Sequence, residues 1–334
     1  MSTNRSLNKL EFKAHMSIHD KVVVSDDAQK LESSYTRDRF GKNQAIPNEK
    51  GVVHVRRIKK DLLVFALLSS MASFLLNPVL VTAQNTFAAK PSIYLTAKSC
   101  VVVDVKGGTI LYSKQPNLKL PGASTAKVMT ALLVLEHLPM KQKVTISRNA
   151  AGQVPSKAGL TSGTEYSVED LLKAVLVASS NDAAVALAEA VAGSEKKFAY
   201  QMNLKARALG INDTFFVNAT GLPDETFKQY TTAYDLARLM RVAVKDKRID
   251  KILGITETSI EGSDGKAIRI RAHNKMLWKI PRIVKGKTGW TRVSRHTFVG
   301  TNYSADKSIT FALLSSKKLW TDIERLALEF IPDR

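Results

Sequence analysis

The chain has 334 residues, 44% of them hydrophobic and 24% charged, a balance that reads as globular with one large domain or two small ones. Its 50 Lys and Arg against 30 Asp and Glu leave a formal net charge of +20, but these residues are scattered and form neither an Arg/aromatic patch nor a nucleic-acid module, so no nucleic acid is expected as a partner and an anionic surface or plain solubility accounts for the charge. The single cysteine, Cys100, excludes an intramolecular disulfide and any multi-cysteine metal site, and its setting in "SCVVVDV" reads as a buried apolar position.

Residues 1–55 are polar and unpatterned, which reads as a disordered extension, a short cytoplasmic tail, or sequence upstream of a true start near Val52 or Val53. Residues 56–90 carry an export signal. Arg56, Arg57, Lys59 and Lys60 precede an apolar run from Leu62 to Ala83, the order that orients a segment for membrane insertion. Val81-Thr82-Ala83 suits a signal peptidase, and the run is also about the ~20 residues needed to span a bilayer. Either a cleaved signal or a membrane tether is therefore expected, with the remainder, 91–334, exported to the cell envelope.

That remainder is mixed α and β. "SCVVVDVKGGTILYSK" reads as two strands around a Gly107-Gly108 turn. The stretch after Ser124 is apolar on nearly all sides, as a buried helix is. "SVEDLLKAVLVAS" opens on Ser167 and Asp170, a capping pair; "NDAAVALAEAVAG" resumes after a break at Ser179–Asn181 and stops at Gly193. "EKKFAYQMNLKARALG" and "TTAYDLARLMRVAV" are further helices. The period then shortens: "GITETSIEG", "KAIRIRAH", "RIVKGKTGW", "RHTFVGTNY" and "KSITFALLSS" read as strands, and "TDIERLALEFI" as a final helix. The expected fold is α/β of the α+β kind: an antiparallel sheet built from both ends of the chain, flanked by helices, with an inserted helical lobe.

"PGASTAKVMTALLVLEHL" places Ser124 and Lys127 three apart, on one helix face. Ser-x-x-Lys also occurs at Ser6, Ser194, Ser263, Ser304 and Ser315, so the spacing alone says little. Context says more. A serine hydroxyl needs a base, and a lysine desolvated among apolar residues can be one. A helix start also favours the negative charge of acyl transfer. Ser179-Ser180-Asn181 follows at a helix break, and Lys287-Thr288-Gly289 follows inside a strand, where glycine lets a substrate backbone approach.

With these three motifs in order, the chain resembles the penicillin-binding D-alanyl-D-alanine carboxypeptidases, the low-molecular-mass serine peptidases of family S11. The resemblance runs from about Ile93 to Ile331 and includes "GLTSGTEYSVEDLLKAVLVASSNDAAVALAE" and "NATGLPDETFKQYTTAYDLARL". It implies a β-lactamase/transpeptidase-like fold and hydrolysis of the terminal D-alanine of peptidoglycan stem peptides, with β-lactams as covalent inhibitors. Ser124 would be the nucleophile, Lys127 its base, and Ser179 a proton relay to the leaving group. Asn181 would hold the acyl part, Lys287 the positive field, and Thr288 and Gly289 the carboxylate end of the substrate. The backbone N–H groups of Ser124 and Trp290 would form the oxyanion hole, and no metal or organic cofactor is implied.

The chain departs from the family pattern in places. Ser180 stands where Gly is frequent and is expected to narrow the loop. Ser294 and Arg295 stand where Ala and Gly are frequent and are expected to add bulk and charge at the strand edge. Asp322 stands where the last helix often has a basic residue, so Arg292 or Arg295 is expected to hold the substrate carboxylate, unless both are merely solvated. The chain ends soon after the catalytic domain, which leaves the N-terminal segment as the expected tether. A DD-endopeptidase cutting cross-links is the nearest alternative. A β-lactamase lacks its deacylating Glu-x-x-Asn here, and a silent penicillin-binding protein would not keep the motifs intact.

Overall fold

The computed structural model describes residues 93–226, 228–279, 284–303 and 307–330. The polar extension and the Leu62–Ala83 segment lie outside them. Among the described residues no helix is long and apolar enough to cross a membrane.

The expected hairpin forms from β1 (Ser99–Asp104) and β2 (Ile110–Lys114). The chain then crosses the helical region and returns as β7 (Val284–Thr291), β8 (Arg295–Tyr303) and β9 (Ser308–Ser316). These five make one antiparallel sheet in the order β2-β1-β9-β8-β7, so the first and last parts of the domain meet at the β1–β9 ladder. The strands read as continuous apolar runs because both faces of the sheet are covered. Val101 and Val103 of β1 belong to the core on the helical-lobe side. Cys100 and Val102 alternate onto the other face, with Phe298, Phe311 and Leu313 against the last helix, α9 (Leu319–Phe330). Cys100 is fully buried there, and burial raises its thiol well above the usual range, so it stays protonated.

The helical lobe is α1 (Lys127–His137), α2 (Arg148–Ala151), α3 (Val168–Val177), α4 (Asn181–Ala192), α5 (Glu195–Ala208), α6 (Ala233–Ala243) and α7 (Lys247–Leu253). Ser147, Ser167, Ser194, Thr232 and Asp246 each accept a first-turn backbone N–H, which fixes where these helices begin. Gly193 closes α4 at φ 75°, a left-handed turn that suits glycine. In α1 every residue from Lys127 to Leu135 is buried, as its apolar circumference requires.

Two strand assignments differ from expectation. β5 (Glu257–Glu261) and β6 (Ala267–Arg271) pair only with each other, away from the main sheet, and β3 (Lys143–Thr145) with β4 (Glu165–Ser167) forms a second small ribbon. In β5 and β6 only Ile260 and Ile270 are buried, too little apolar surface for a strand covered on both faces. A four-residue helix, α8 (Met276–Lys279), leads into β7.

Asp322 has a structural task. Fully buried at the start of α9, it accepts the backbone N–H groups of Thr96 and Ala97 at 2.9 and 3.0 Å and the hydroxyls of Thr96 and Ser316 at 2.7 Å each. It ties the segment before β1 to the end of β9. Asp322→Ala leaves these donors unpaired in the interior and is expected to cost about 3 kcal/mol. Denaturant titration followed by far-ultraviolet circular dichroism reads that loss.

Candidate active site

Ser124 lies in a 3-10 turn, Ala123–Ala126, that feeds directly into α1, so the helix begins at Lys127 rather than at the serine. Ala123 has φ 48°, a left-handed conformation that costs an alanine ~1–2 kcal/mol. Two glycines accommodate this turn. At Gly221 (φ 80°) a Cβ would run into the Ala123 carbonyl, and at Gly289 it would lie 2.9 Å from the Ser124 nitrogen and collide with Thr297 Oγ1. Gly289 therefore brings β7 alongside the backbone of Ser124. Thr297 on β8 secures the approach by donating to the Gly122 carbonyl at 2.9 Å.

Lys127 is entirely buried. Its Nζ lies 2.7 Å from Asn181 Oδ1, 2.7 Å from the Thr220 carbonyl and 3.1 Å from Ser124 Oγ. Burial, then the charge of Lys287, holds its pKa well below the ordinary lysine value. A neutral amine has two N–H donors and one lone pair. The donors go to the two acceptors that cannot donate in return, Asn181 Oδ1 and the Thr220 carbonyl. The lone pair is left for the hydroxyl of Ser124, at the longest of the three contacts.

Asn181 starts α4, and its amide nitrogen donates to the Val154 carbonyl at 2.9 Å. Ser179, just before it, is held at φ 61° and accepts from Lys287 Nζ at 2.8 Å. Lys287 also donates to the Thr288 carbonyl at 2.7 Å. Burial brings its pKa down to about 7. Two lysines thus face one small polar cluster from opposite walls, one from α1 and one from β7.

Ser124, Ser179, Asn181, Thr288, Gly289 and Trp290 all line one cleft of about 580 Å³. Lys127 and Lys287 lie behind its surface, joined to Ser124 and Ser179. Every sequence-predicted site residue is therefore brought together. Of the two candidate arginines, Arg292 lines the cleft and Arg295 does not. Ser294 adds no bulk to the edge: it is buried, and its hydroxyl is spent inside the β7–β8 turn on the Thr291 N–H and the Arg295 carbonyl, both at 2.9 Å. Ser180 is also buried and lies off the cleft, so it fills space behind the loop rather than narrowing the opening.

Other contributors carry no sequence signal of their own. Asp182 is buried and accepts the N–H groups of Ala158, Gly159 and Leu160 at 2.8–3.1 Å, which anchors the loop bearing Pro155 and Ser156 on the cleft wall. Glu195 holds the Ala219 N–H at 3.0 Å, next to the carbonyl of Thr220. Asp182 stands in a stretch that resembles the family and Glu195 between two such stretches, but nothing in their spacing marks them. His273 lines the cleft as well, on its exposed rim, where partial desolvation and then the two lysines lower its pKa. Among the described residues no cluster of His, Cys, Asp and Glu is placed to hold a metal ion.

The sheet, the helical lobe and the Ser–Lys pair between them define a serine peptidase of the penicillin-binding fold. The family model for D-alanyl-D-alanine carboxypeptidase, peptidase family S11, matches residues 84–317, and the chain belongs to that family. D-alanyl-D-alanine carboxypeptidase DacF of Bacillus subtilis (strain 168) is 37% identical over 205 residues, covering 60% of this chain and 52% of DacF, so the chain spans about half the length of that relative. The D-alanyl-D-alanine endopeptidase of Escherichia coli (strain K12) is 31% identical over 242 residues, covering 70% of this chain and 76% of that protein. A crystal structure of D-alanyl-D-alanine carboxypeptidase from Mycobacterium tuberculosis H37Rv matches with a TM-score of 0.66 and 26% identity, over 71% of this chain and 92% of that one.

The contact at Gly289 sets the width of the site. Gly289→Ala is expected to push β7 away from Ser124 and to slow labelling by fluorescent penicillin about 100-fold, the scale of a 1 Å misplacement. Thermal melting should fall as well, since the added Cβ also meets Thr297 across the β7–β8 ladder, and far-ultraviolet circular dichroism checks that the slowly labelled protein is folded.

Proposed function

We propose that the protein is a serine D-alanyl-D-alanine carboxypeptidase that removes the terminal D-alanine from peptidoglycan stem peptides in the cell envelope, and that β-lactams acylate it at Ser124. The observation that carries this reading is the buried amine of Lys127, 3.1 Å from the Ser124 hydroxyl, where burial holds its pKa well below the ordinary lysine value.

In this reading the Ser124 oxygen attacks the carbonyl between the last two residues as its proton passes to Lys127. The oxyanion is received by the N–H groups of Ser124 and Trp290, held close together by the contact at Gly289. Asn181 orients the acyl part, Thr288 takes the terminal carboxylate, and the charge on Lys287 stabilises both anionic groups. The proton that Lys127 took from Ser124 passes to the departing amine by way of the Ser179 hydroxyl, which Lys287 holds, so that Lys127 is neutral again. The C–N bond breaks, D-alanine leaves, and water with Lys127 as base then cleaves the acyl ester. The N-terminal Leu62–Ala83 segment serves as export signal or tether.

A second reading keeps the chemistry and changes the leaving group to the amine of a cross-linked peptide. The 31% identity to an endopeptidase favours testing it. Purified protein incubated with a D-Ala-D-Ala pentapeptide should release D-alanine, and Ser124→Ala should abolish both that release and penicillin labelling. Labelling without release, together with cleavage of a cross-linked muropeptide, would instead support the endopeptidase.

The pH dependence follows from the two lysines. Lys127 becomes a base only above its depressed pKa, so kcat/KM rises with pH through that point. Lys287 loses its charge above about 7, so kcat/KM falls again on the alkaline side. Lys287→Arg keeps the charge at every working pH; it is expected to react more slowly and to lose the alkaline limb. A pH series of penicillin acylation rates, wild type against variant, measures this.

A further inference from the structure

Ser194 caps α5 by accepting the Lys197 N–H, so Glu195 is the first residue of that helix. An acidic side chain there ordinarily stays in water beside the helix dipole. Glu195 is instead half-buried and turned inward, and its Oε1 accepts the Ala219 N–H at 3.0 Å. We propose that Glu195 is a positioning residue for the reaction: it fixes the Thr220 carbonyl against the Lys127 amine and backs that contact with a negative charge. This role rests on Ser124 and Lys127 being nucleophile and base.

Ala219 is held from two helices at once. Its N–H goes to Glu195 on α5, and its carbonyl accepts the hydroxyl of Thr130 on α1 at 2.7 Å, about one turn along from Lys127. The residues that follow are tied to Asn218. Its Oδ1 accepts the Thr220 hydroxyl at 3.0 Å and the Gly221 N–H at 2.8 Å, and its amide donates to the Leu222 carbonyl at 2.9 Å. So fixed, the Thr220 carbonyl meets Lys127 Nζ at 2.7 Å, and Gly221 lies against the backbone of Ala123 and Ser124. One short run thus touches both members of the Ser–Lys pair, and a displacement of ~1 Å in it is felt at nucleophile and base together.

The charge of Glu195 acts as well as its bond. Lys127 faces Lys287 from β7, which disfavours the ammonium, and Glu195 of α5 and Asp182 of α4, which favour it. Of the two acids Glu195 has the larger influence, and Asp182 is already spent on the N–H groups of Ala158, Gly159, Leu160 and Ala183. Glu195 in turn faces Lys127, Glu189 of α4, and Asp224 just beyond Leu222. Burial raises its pKa, Glu189 and Asp224 add to the rise, and the Ala219 N–H and Lys127 oppose it. Lys127 therefore stands between a cation that lowers its basicity and an anion that limits the fall.

The test is the pH profile of acylation by fluorescent penicillin, with thermal melting alongside, for the full chain and its Glu195→Gln and Glu195→Ala variants. Glutamine keeps an oxygen for the Ala219 N–H but carries no charge. Its acid limb is expected to move to lower pH by about half a pH unit, because without the anion the ammonium gives up its proton more readily. Alanine loses bond and charge together. Its limb is expected to move the same way, and its plateau rate to fall about tenfold below that of the glutamine variant. An acid limb that stays in place or moves to higher pH in Glu195→Gln overturns the proposal, and so do equal plateau rates in the two variants. Lowered melting with an unmoved limb is what an acid serving only the start of α5 would give, and it counts against the proposal too. Should the alanine variant fail to fold, the glutamine limb decides alone. Failure of the Ser–Lys reading shows differently, as wild-type protein that penicillin does not label at Ser124.

Discussion

The site depends on removing one lysine amine from water. Lys127 enters the interior as part of an all-buried helix, and none of its three close partners is an anion: they are an amide oxygen, a backbone carbonyl and a hydroxyl, while Glu195 and Asp182 favour the ammonium only as lesser influences. A charged amine in that position is costly, and the second lysine 287 makes it more so. These surroundings favour the neutral form of Lys127, and a neutral amine beside a serine is a base. Much of the surrounding architecture maintains that condition. α1 supplies the apolar sleeve, Glu195 steadies the strand of chain that offers the Thr220 carbonyl, and Asp182 fastens the loop over Asn181.

The second constraint is steric. The Ser124 turn and β7 come from opposite ends of the domain's sequence, and they approach closely only because residues 221 and 289 lack a Cβ. Left-handed backbone at Ala123 and Ser179 adds conformational strain on either side of the cleft. The sheet tolerates this because apolar layers pack on both of its faces and Asp322 fastens the start of α9 to it.

Much of this was legible in the sequence. The three motifs met in one cleft, and the helix boundaries fell where Ser167 and Gly193 placed them, because capping residues act locally. Sheet membership was less legible. The β5–β6 hairpin has the alternation of any strand pair, and alternation does not say which sheet a hairpin joins. Backbone acceptors left no trace either: the Thr220 carbonyl holds Lys127 as closely as Asn181 does, yet any residue could supply a carbonyl. Asp322 was visible only as a departure from a family pattern, and its bonds to Thr96 and Ser316 join positions more than 200 residues apart at one end. The two candidate arginines looked equivalent in sequence, and only the shape of the β7–β8 turn separated them.

The most direct measurement is the titration of the Lys127 ammonium itself, by NMR of protein labelled with 15N at lysine Nζ and assigned with Lys127→Arg. The account predicts a midpoint far below 10.5, the ordinary lysine value, with Lys287 titrating near 7. A Lys127 resonance that stays protonated to pH 10 would mean that no base stands beside Ser124, and the mechanism built on it would fall.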